Sequence, residues 1–375
     1  MAPLIKALEA EPGLTSIVCV TGQHRAMLDQ VLDLFGIRPD HDLDVMVPNQ
    51  TLNGLCARVM GALDDLIAMA RPDRVLVHGD TTTAMAASLA AVHRQVPVGH
   101  VEAGLRTYDL SQPWPEELNR RIVDVASDWL FAPTPCARGN LAGERLEGRI
   151  VVTGNTVIDA LRMTAERLHC DTDLRARLDA QFGILRGDRK LLLVTGHRRE
   201  NFGGGFANIC AALAELSLQP GLEIVYPVHL NPNVQGPVRE ALAGKPNIHL
   251  IEPQDYVPFV YLMQRAHLIL TDSGGVQEEA PSLGKPVLVM RDVTERPEAV
   301  AAGTVRLVGT NASRIVSEAT RILDREPVST TFAPHGNPYG DGDAAARIVA
   351  ALAGRPFEEF SPQPPYHSSS ALGAE

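Results

Sequence analysis

Cysteine is scarce and unpatterned in this sequence. The five cysteines, Cys19, Cys56, Cys136, Cys170 and Cys210, are odd in number, widely spaced and never in a CxxC pair. That argues against a disulfide framework and a cysteine-built zinc site, and fits a reducing compartment. No HExxH occurs, so no resident metal is expected. No GxGxxG offers a place for a nicotinamide, and no cofactor is expected. Positive charge is also in deficit: 34 Lys and Arg stand against 45 Asp and Glu, for a formal net charge of -11. The basic residues are scattered rather than clustered, so the electrostatic footprint of a nucleic-acid binder is missing. No run approaches the roughly 20 apolar residues of a membrane span, and the N-terminus MAPLIKALEAEPG lacks a long apolar core followed by a cleavage site. The expectation is a cytoplasmic protein with neither membrane nor nucleic-acid partners, in which any anionic ligand is held by local devices.

What is present is a regular alternation. A chain of 375 residues with 45% hydrophobic content has room for two domains at roughly 100–200 residues each. After an N-terminal helix marked by Leu4, Ile5 and Leu8, short apolar runs of strand length (Ile17 to Val20, Arg74 to His78, Val96 to Val101, Ile150 to Thr153) alternate with helical segments. A second series follows at Leu191 to Thr195, Leu222 to Val228, Ile248 to Ile251, Leu268 to Thr271 and Pro286 to Met290. Alternation of this kind predicts parallel sheets covered on both faces. Two segments, VLVHGDTTTAMAASLAAVHRQVPVGHVEAG and LILTDSGGVQEEAPSLGKPVLVMRD, run through the same plan of strand, acid with small polar residues, helix, x-Pro-Val and strand. The predicted fold class is therefore α/β, with two similar Rossmann-like, doubly wound halves. One domain is expected over 1–155 plus a returning helix within 343–358, and the other over 156–342. A long helical stretch from Asn155 to Gln181 bridges them, and a disordered tail takes up 359–375.

The stretch LTDSGGVQEEAPSLGKPVLV ends a strand in small, hydroxylic and glycine residues at the mouth of a helix. In open parallel sheets ligands sit beyond the carboxyl ends of strands, where backbone amides are unpaired. Ser273, Gly274 and Gly275 suit close approach of a phosphate, although a tight turn alone would also ask for glycine. Glu279 would repel a phosphate but accepts from ribose hydroxyls, while Glu278 reads as a solvated carboxylate at the helix start. Arg296, after the next strand, either forks onto a diphosphate or makes a surface ion pair.

Taken together, VLVHGDTTT, VGHVEAGLRT, WPEELNRR, TGNTVIDAL, VTGHRREN, YPVHLNPNV, LTDSGGVQEEAPSLGKPVLVMRDVTERPEAV and NPYGDG resemble the non-hydrolysing UDP-N-acetylglucosamine 2-epimerases of bacteria over nearly the whole chain. The resemblance implies a glycosyltransferase-B-like fold, two Rossmann-like domains facing a central cleft with the last helix returning to the first domain. It also implies interconversion of UDP-N-acetylglucosamine and UDP-N-acetylmannosamine to supply bacterial surface polysaccharides.

The chemistry constrains such a site. The C2 hydrogen of an N-acetylhexosamine has no adjacent carbonyl to acidify it, so loss of UDP with removal of that proton, giving a glycal, is the practical route. Asp80 and Glu102 each end an apolar run, although Asp80 also suits a helix cap. Glu116 after Pro115 suits a first helical turn. The resemblance makes all three acid/base candidates, with His197 as a fourth. It also matches Gln254 and Phe259 to the uracil, where an amide and a stacking ring serve, although a phenylalanine there is also an ordinary core residue. By resemblance, a second UDP-N-acetylglucosamine is an activator contacting Gln23, Arg198 and His229, and members are commonly homodimers. Family members carry a strand and a basic loop before the segment matching MAPLI. The corresponding expectation is a chain of reduced stability and activity as written. A UDP-sugar glycosyltransferase and a catalytically impaired UDP binder remain as alternative readings.

Overall fold

The protein was analysed as a computed structural model, which describes residues 1–22, 25–185, 187–294, 296–324 and 336–362. The chain divides into two compact units, Met1–Arg162 with Tyr339–Ser361, and Met163–Pro338.

In the first unit, β3 (Val75–His78), β4 (Val98–Val101), β5 (Trp129–Ala132) and β6 (Arg149–Val152) form a parallel sheet in that order. Two shorter strands, β1 (Cys19–Val20) and β2 (His41–Asp42), pair separately with each other. Alternation along β3 sends Val77 into a core with Leu55, Val59, Leu63 and Ile67 of the helix Leu52–Ala70, while Leu76 faces Leu4, Ile348 and Val349. The spacing of those four helix residues puts them on one stripe, and burying each contributes about 1.5–3 kcal/mol. The helix Thr82–His93 is alanine-rich, so it packs close to both the sheet and its neighbour, and the Thr81 hydroxyl caps it by accepting the Ala84 N–H at 3.1 Å. The helices Ala2–Glu9 and Ala344–Leu352 cover the opposite face.

The disordered tail expected over 359–375 does not hold at its first residues, and 363–375 lie outside the described residues. Phe360 is buried, its N–H is donated to the Val152 carbonyl at 2.9 Å, and the Glu359 carboxylate accepts the Val152 N–H at 3.1 Å. An aromatic residue with a strand edge to pair against outweighs the surrounding proline-rich composition.

The second unit contains one six-stranded parallel sheet, built from β7 (Lys190–Thr195), β8 (Leu222–Pro227), β9 (Ile248–Ile251), β10 (Leu268–Thr271), β11 (Val287–Val289) and β12 (Val305–Leu307) in the order β12-β11-β10-β7-β8-β9. The helices Gly204–Leu216, Pro232–Leu242 and Ala312–Leu323 bury Leu213, Val238 and Ile315 against Leu192, Val194 and Leu270. The expected bridging helix is two helices, Thr156–Cys170 and Thr172–Gln181. They break where the Asp171 carboxylate caps the second by accepting the Leu174 N–H at 2.8 Å. Strands β2, β5 and β12 were not anticipated from the sequence. No described helix is long and apolar enough to cross a membrane.

Candidate active site

In the second unit the strand order reverses between β7 and β10, so TGHRREN and TDSGG leave adjacent strands at the switch point. Asp272 ties the two segments together. Its buried carboxylate accepts the backbone N–H of His197 at 3.0 Å, that of Arg198 at 2.9 Å and the Asn201 amide at 3.1 Å. Tyr226, buried on β8, donates its hydroxyl to the Gly196 carbonyl at 3.2 Å. The loop holding His197 is therefore fixed from two sides. The His197 ring remains partly exposed and stacks on His229 with centroids 5.4 Å apart. Burial lowers the proton affinity of His197, with the charge of Asp272 acting the other way. His229 is oriented in turn, its Nδ1 accepting the Asn231 N–H at 3.1 Å.

Arg296 lies over the glycine turn. A Cβ on Gly274 would stand 2.8 Å from the guanidinium carbon, so the Arg296 head would have to move for any larger residue. Glu278 differs from its expected solvated state. It is buried, and it accepts from Arg296 Nε at 2.8 Å, because a carboxylate one turn into this helix is the nearest anchor for the guanidinium. Glu279 is also buried and accepts from the Tyr256 hydroxyl at 2.6 Å, and burial pushes its carboxyl up to about 7. Tyr256 opens the helix Tyr256–Arg265, which also carries Phe259, half-buried rather than a core residue. Gln254 precedes that helix, with its amide donated to the Glu252 carbonyl at 2.6 Å and its oxygen accepting from Gln181 at 3.0 Å. Ser273 and Gly275 flank Gly274 at the turn. Gln23 lies outside the described residues.

In the first unit Asp80 and Glu102 follow the neighbouring strands β3 and β4. Asp80 is not the helix cap, a role held by Thr81. Its carboxylate pairs with Arg120 and its carbonyl accepts the Asn119 amide at 2.9 Å. Glu102 has φ 71°, a left-handed backbone that a non-glycine residue rarely adopts. Its carboxylate accepts from Asn155 Nδ2 at 3.0 Å and lies 3.7 Å from His78 Nε2. Glu116 begins the helix Glu116–Ala126, one turn before Arg120, and one oxygen of its carboxylate is shielded from solvent without a hydrogen-bond partner. An acid left unpaired in such a place is a candidate for proton transfer.

Sequence reasoning overlooked Asp272, Tyr256, Asn119, Arg120 and Asn155. Each orients another residue through a contact far away in the chain, which leaves no periodic signal. Among the described residues no group of three or more His, Cys, Asp or Glu is arranged to hold a metal ion.

A glycine turn at the switch point of a parallel sheet places the second unit among nucleotide-binding α/β folds. The sequence profile of the UDP-N-acetylglucosamine 2-epimerase family matches residues 6–353. The chain belongs to that family. It is 57% identical over 354 residues to the UDP-N-acetylglucosamine 2-epimerase of Yersinia pestis and 55% identical to that of Escherichia coli K12, covering 94% of this chain and of each relative. The crystal structure of the Neisseria meningitidis enzyme bound to UDP-GlcNAc is similar at TM-score 0.87 and 51% identity, covering 95% of this chain and 96% of that one. MurG of Acinetobacter baumannii, at 12% identity and TM-score 0.54, shares the fold alone. The fold is α/β and glycosyltransferase-B-like.

Proposed function

We propose that the protein interconverts UDP-N-acetylglucosamine and UDP-N-acetylmannosamine without hydrolysis, by eliminating UDP to a glycal and adding it back after C2 is reprotonated on the other face. The observation that carries the nucleotide half is Arg296 over Gly274 with the buried Glu279 close by in the same helix. A forked cation and a buried acceptor bracket one backbone turn, which suits the diphosphate and the ribose of a single nucleotide. Ser273 and Gly275 contribute backbone and hydroxyl donors there, and Gln254 and Phe259 hold the uracil. Asp80, Glu102, Glu116 and His197 are the acid/base set. Asp80 is paired with Arg120, whereas Glu116 has an oxygen without a partner.

On this reading a second UDP-N-acetylglucosamine activates the enzyme through Gln23, Arg198 and His229. The working form is a homodimer, and the product feeds bacterial surface polysaccharides from the cytoplasm. Activation predicts that UDP-N-acetylmannosamine alone turns over slowly until a trace of the gluco isomer is added; hyperbolic kinetics from both directions would remove this part.

The test is proton NMR in deuterium oxide with UDP-N-acetylglucosamine and no acceptor. Loss of the C2 proton signal with a new manno anomer is expected. Release of free sugar, or a requirement for an acceptor, would replace the reading with a hydrolase or a transferase.

A further inference from the structure

Behind Asp80 lies a chain of buried charges that the mechanism above leaves unused. His100 on β4 is fully buried. Its Nδ1 lies 2.6 Å from Asp124 Oδ1, and its Nε2 lies 2.9 Å from the carbonyl oxygen of Gly79, the residue before Asp80. The other oxygen of Asp124 meets Arg106 at 2.7 Å, and Arg106 forks onto Glu144 at 2.7 and 2.8 Å. A peptide carbonyl has no proton to give, so in the contact with Gly79 it is the ring nitrogen that donates. The ring thus stands between two acceptors, the Gly79 carbonyl and the Asp124 carboxylate, in a fully buried place.

We infer that His100 is a positioning residue, using a hydrogen bond from its buried ring to the Gly79 carbonyl to fix the turn that presents Asp80. Two observations favour this over simple core filling. The buried polar side chains of His100, Asp124 and Arg106 stabilise a core poorly compared with apolar side chains of the same volume, and this network converges on a single carbonyl. That carbonyl belongs to a turn held at three other points: the Gly79 N–H is donated to the Val101 carbonyl at 3.0 Å, the Asp80 carbonyl accepts from Asn119 at 2.9 Å, and the Asp80 carboxylate pairs with Arg120. Gly79 has φ 67°, so the turn has few conformers to choose from once these bonds form. The inference rests on the reading that Asp80 acts on the sugar.

Two substitutions in the full-length chain separate the contacts. The amide of Gln reaches toward the position of Nε2, so His100→Gln keeps a donor for Gly79. The amide of Asn falls near Nδ1, so His100→Asn keeps the link to Asp124 and loses Gly79. The expected result is a fall in kcat of roughly tenfold to a hundredfold for His100→Asn, with KM unchanged and His100→Gln within about threefold of the parent. Equal kcat in the two variants, or a change confined to KM, overturns the proposal. Asp80→Asn supplies the control. If it stays fully active, the reading of Asp80 fails and the inference with it; if it is inactive while His100→Asn is normal, only the positioning role fails. Should neither His100 variant fold, nitrogen-15 NMR of histidine-labelled parent enzyme decides the matter. The Nε2 of His100 is expected to carry a proton, and an unprotonated Nε2 overturns the assignment.

Discussion

Asp272 at the end of β10 accepts the backbone N–H of His197 at the end of β7 at 3.0 Å, so a buried carboxylate from one strand fixes the loop that leaves its neighbour. Removing the charge while keeping the shape tests this directly. Asp272→Asn turns one acceptor oxygen into a donor facing amide hydrogens, and it should destabilise the second unit by about 2–3 kcal/mol in urea denaturation. It should also lower kcat through the loosened His197 loop. Stability within experimental error of the parent would mean that the loop is held by other contacts.

Glu279 predicts a pH dependence. Burial raises its carboxyl from the ordinary 4.5 to about 7, with the Tyr256 hydroxyl pulling the other way. A raised carboxyl favours the fold fully below the unfolded value, and that contribution is lost as pH climbs through the folded value. Between about pH 4 and pH 8 the parent should lose about 3 kcal/mol of stability relative to Glu279→Gln, which has no proton to release there. Parallel stability curves for the two proteins would contradict this.

Arg296→Lys keeps the positive charge and gives up the planar fork. The lysine cannot both anchor on Glu278 and span Gly274, so KM for the UDP-sugar should rise about tenfold with a smaller effect on kcat. Initial rates over a range of substrate concentrations decide it, and an unchanged KM would move the diphosphate elsewhere.

Glu102 holds a left-handed backbone at φ 71°. Glu102→Ala and Glu102→Gly both remove the carboxylate and should both abolish turnover. They should differ in stability, with the glycine variant about 1 kcal/mol more stable because its backbone reaches this region without a Cβ clash. An alanine variant as stable as the glycine one would show that the backbone relaxes when the side chain is removed.

Several features were legible before any coordinates. The apolar run at Leu268 to Thr271 coincides with β10, because a strand buried on both faces must be almost wholly apolar, and the run at Ile248 to Ile251 coincides with the edge strand β9. The helix at Leu4, Ile5 and Leu8 follows from its spacing alone. Short strands such as His41–Asp42 did not declare themselves, since two residues carry no periodicity. Glu278, expected in solvent, is buried against Arg296, and Glu279 is buried against Tyr256, each beside a partner supplied from another part of the chain.

The sequence by itself determined the alternation of strands and helices, the glycine turn at Gly274 and the acids at the strand ends, because each depends on residues adjacent or periodic along the chain. The tertiary structure alone decided which of those acids are paired. The partners, Arg120 for Asp80, Asn155 for Glu102, Tyr256 for Glu279 and His100 for the Gly79 carbonyl, lie between 21 and 53 residues away. No local pattern encodes a hydrogen bond closed over that distance; it exists only once parallel strands have been brought edge to edge and their ends share one side of the sheet.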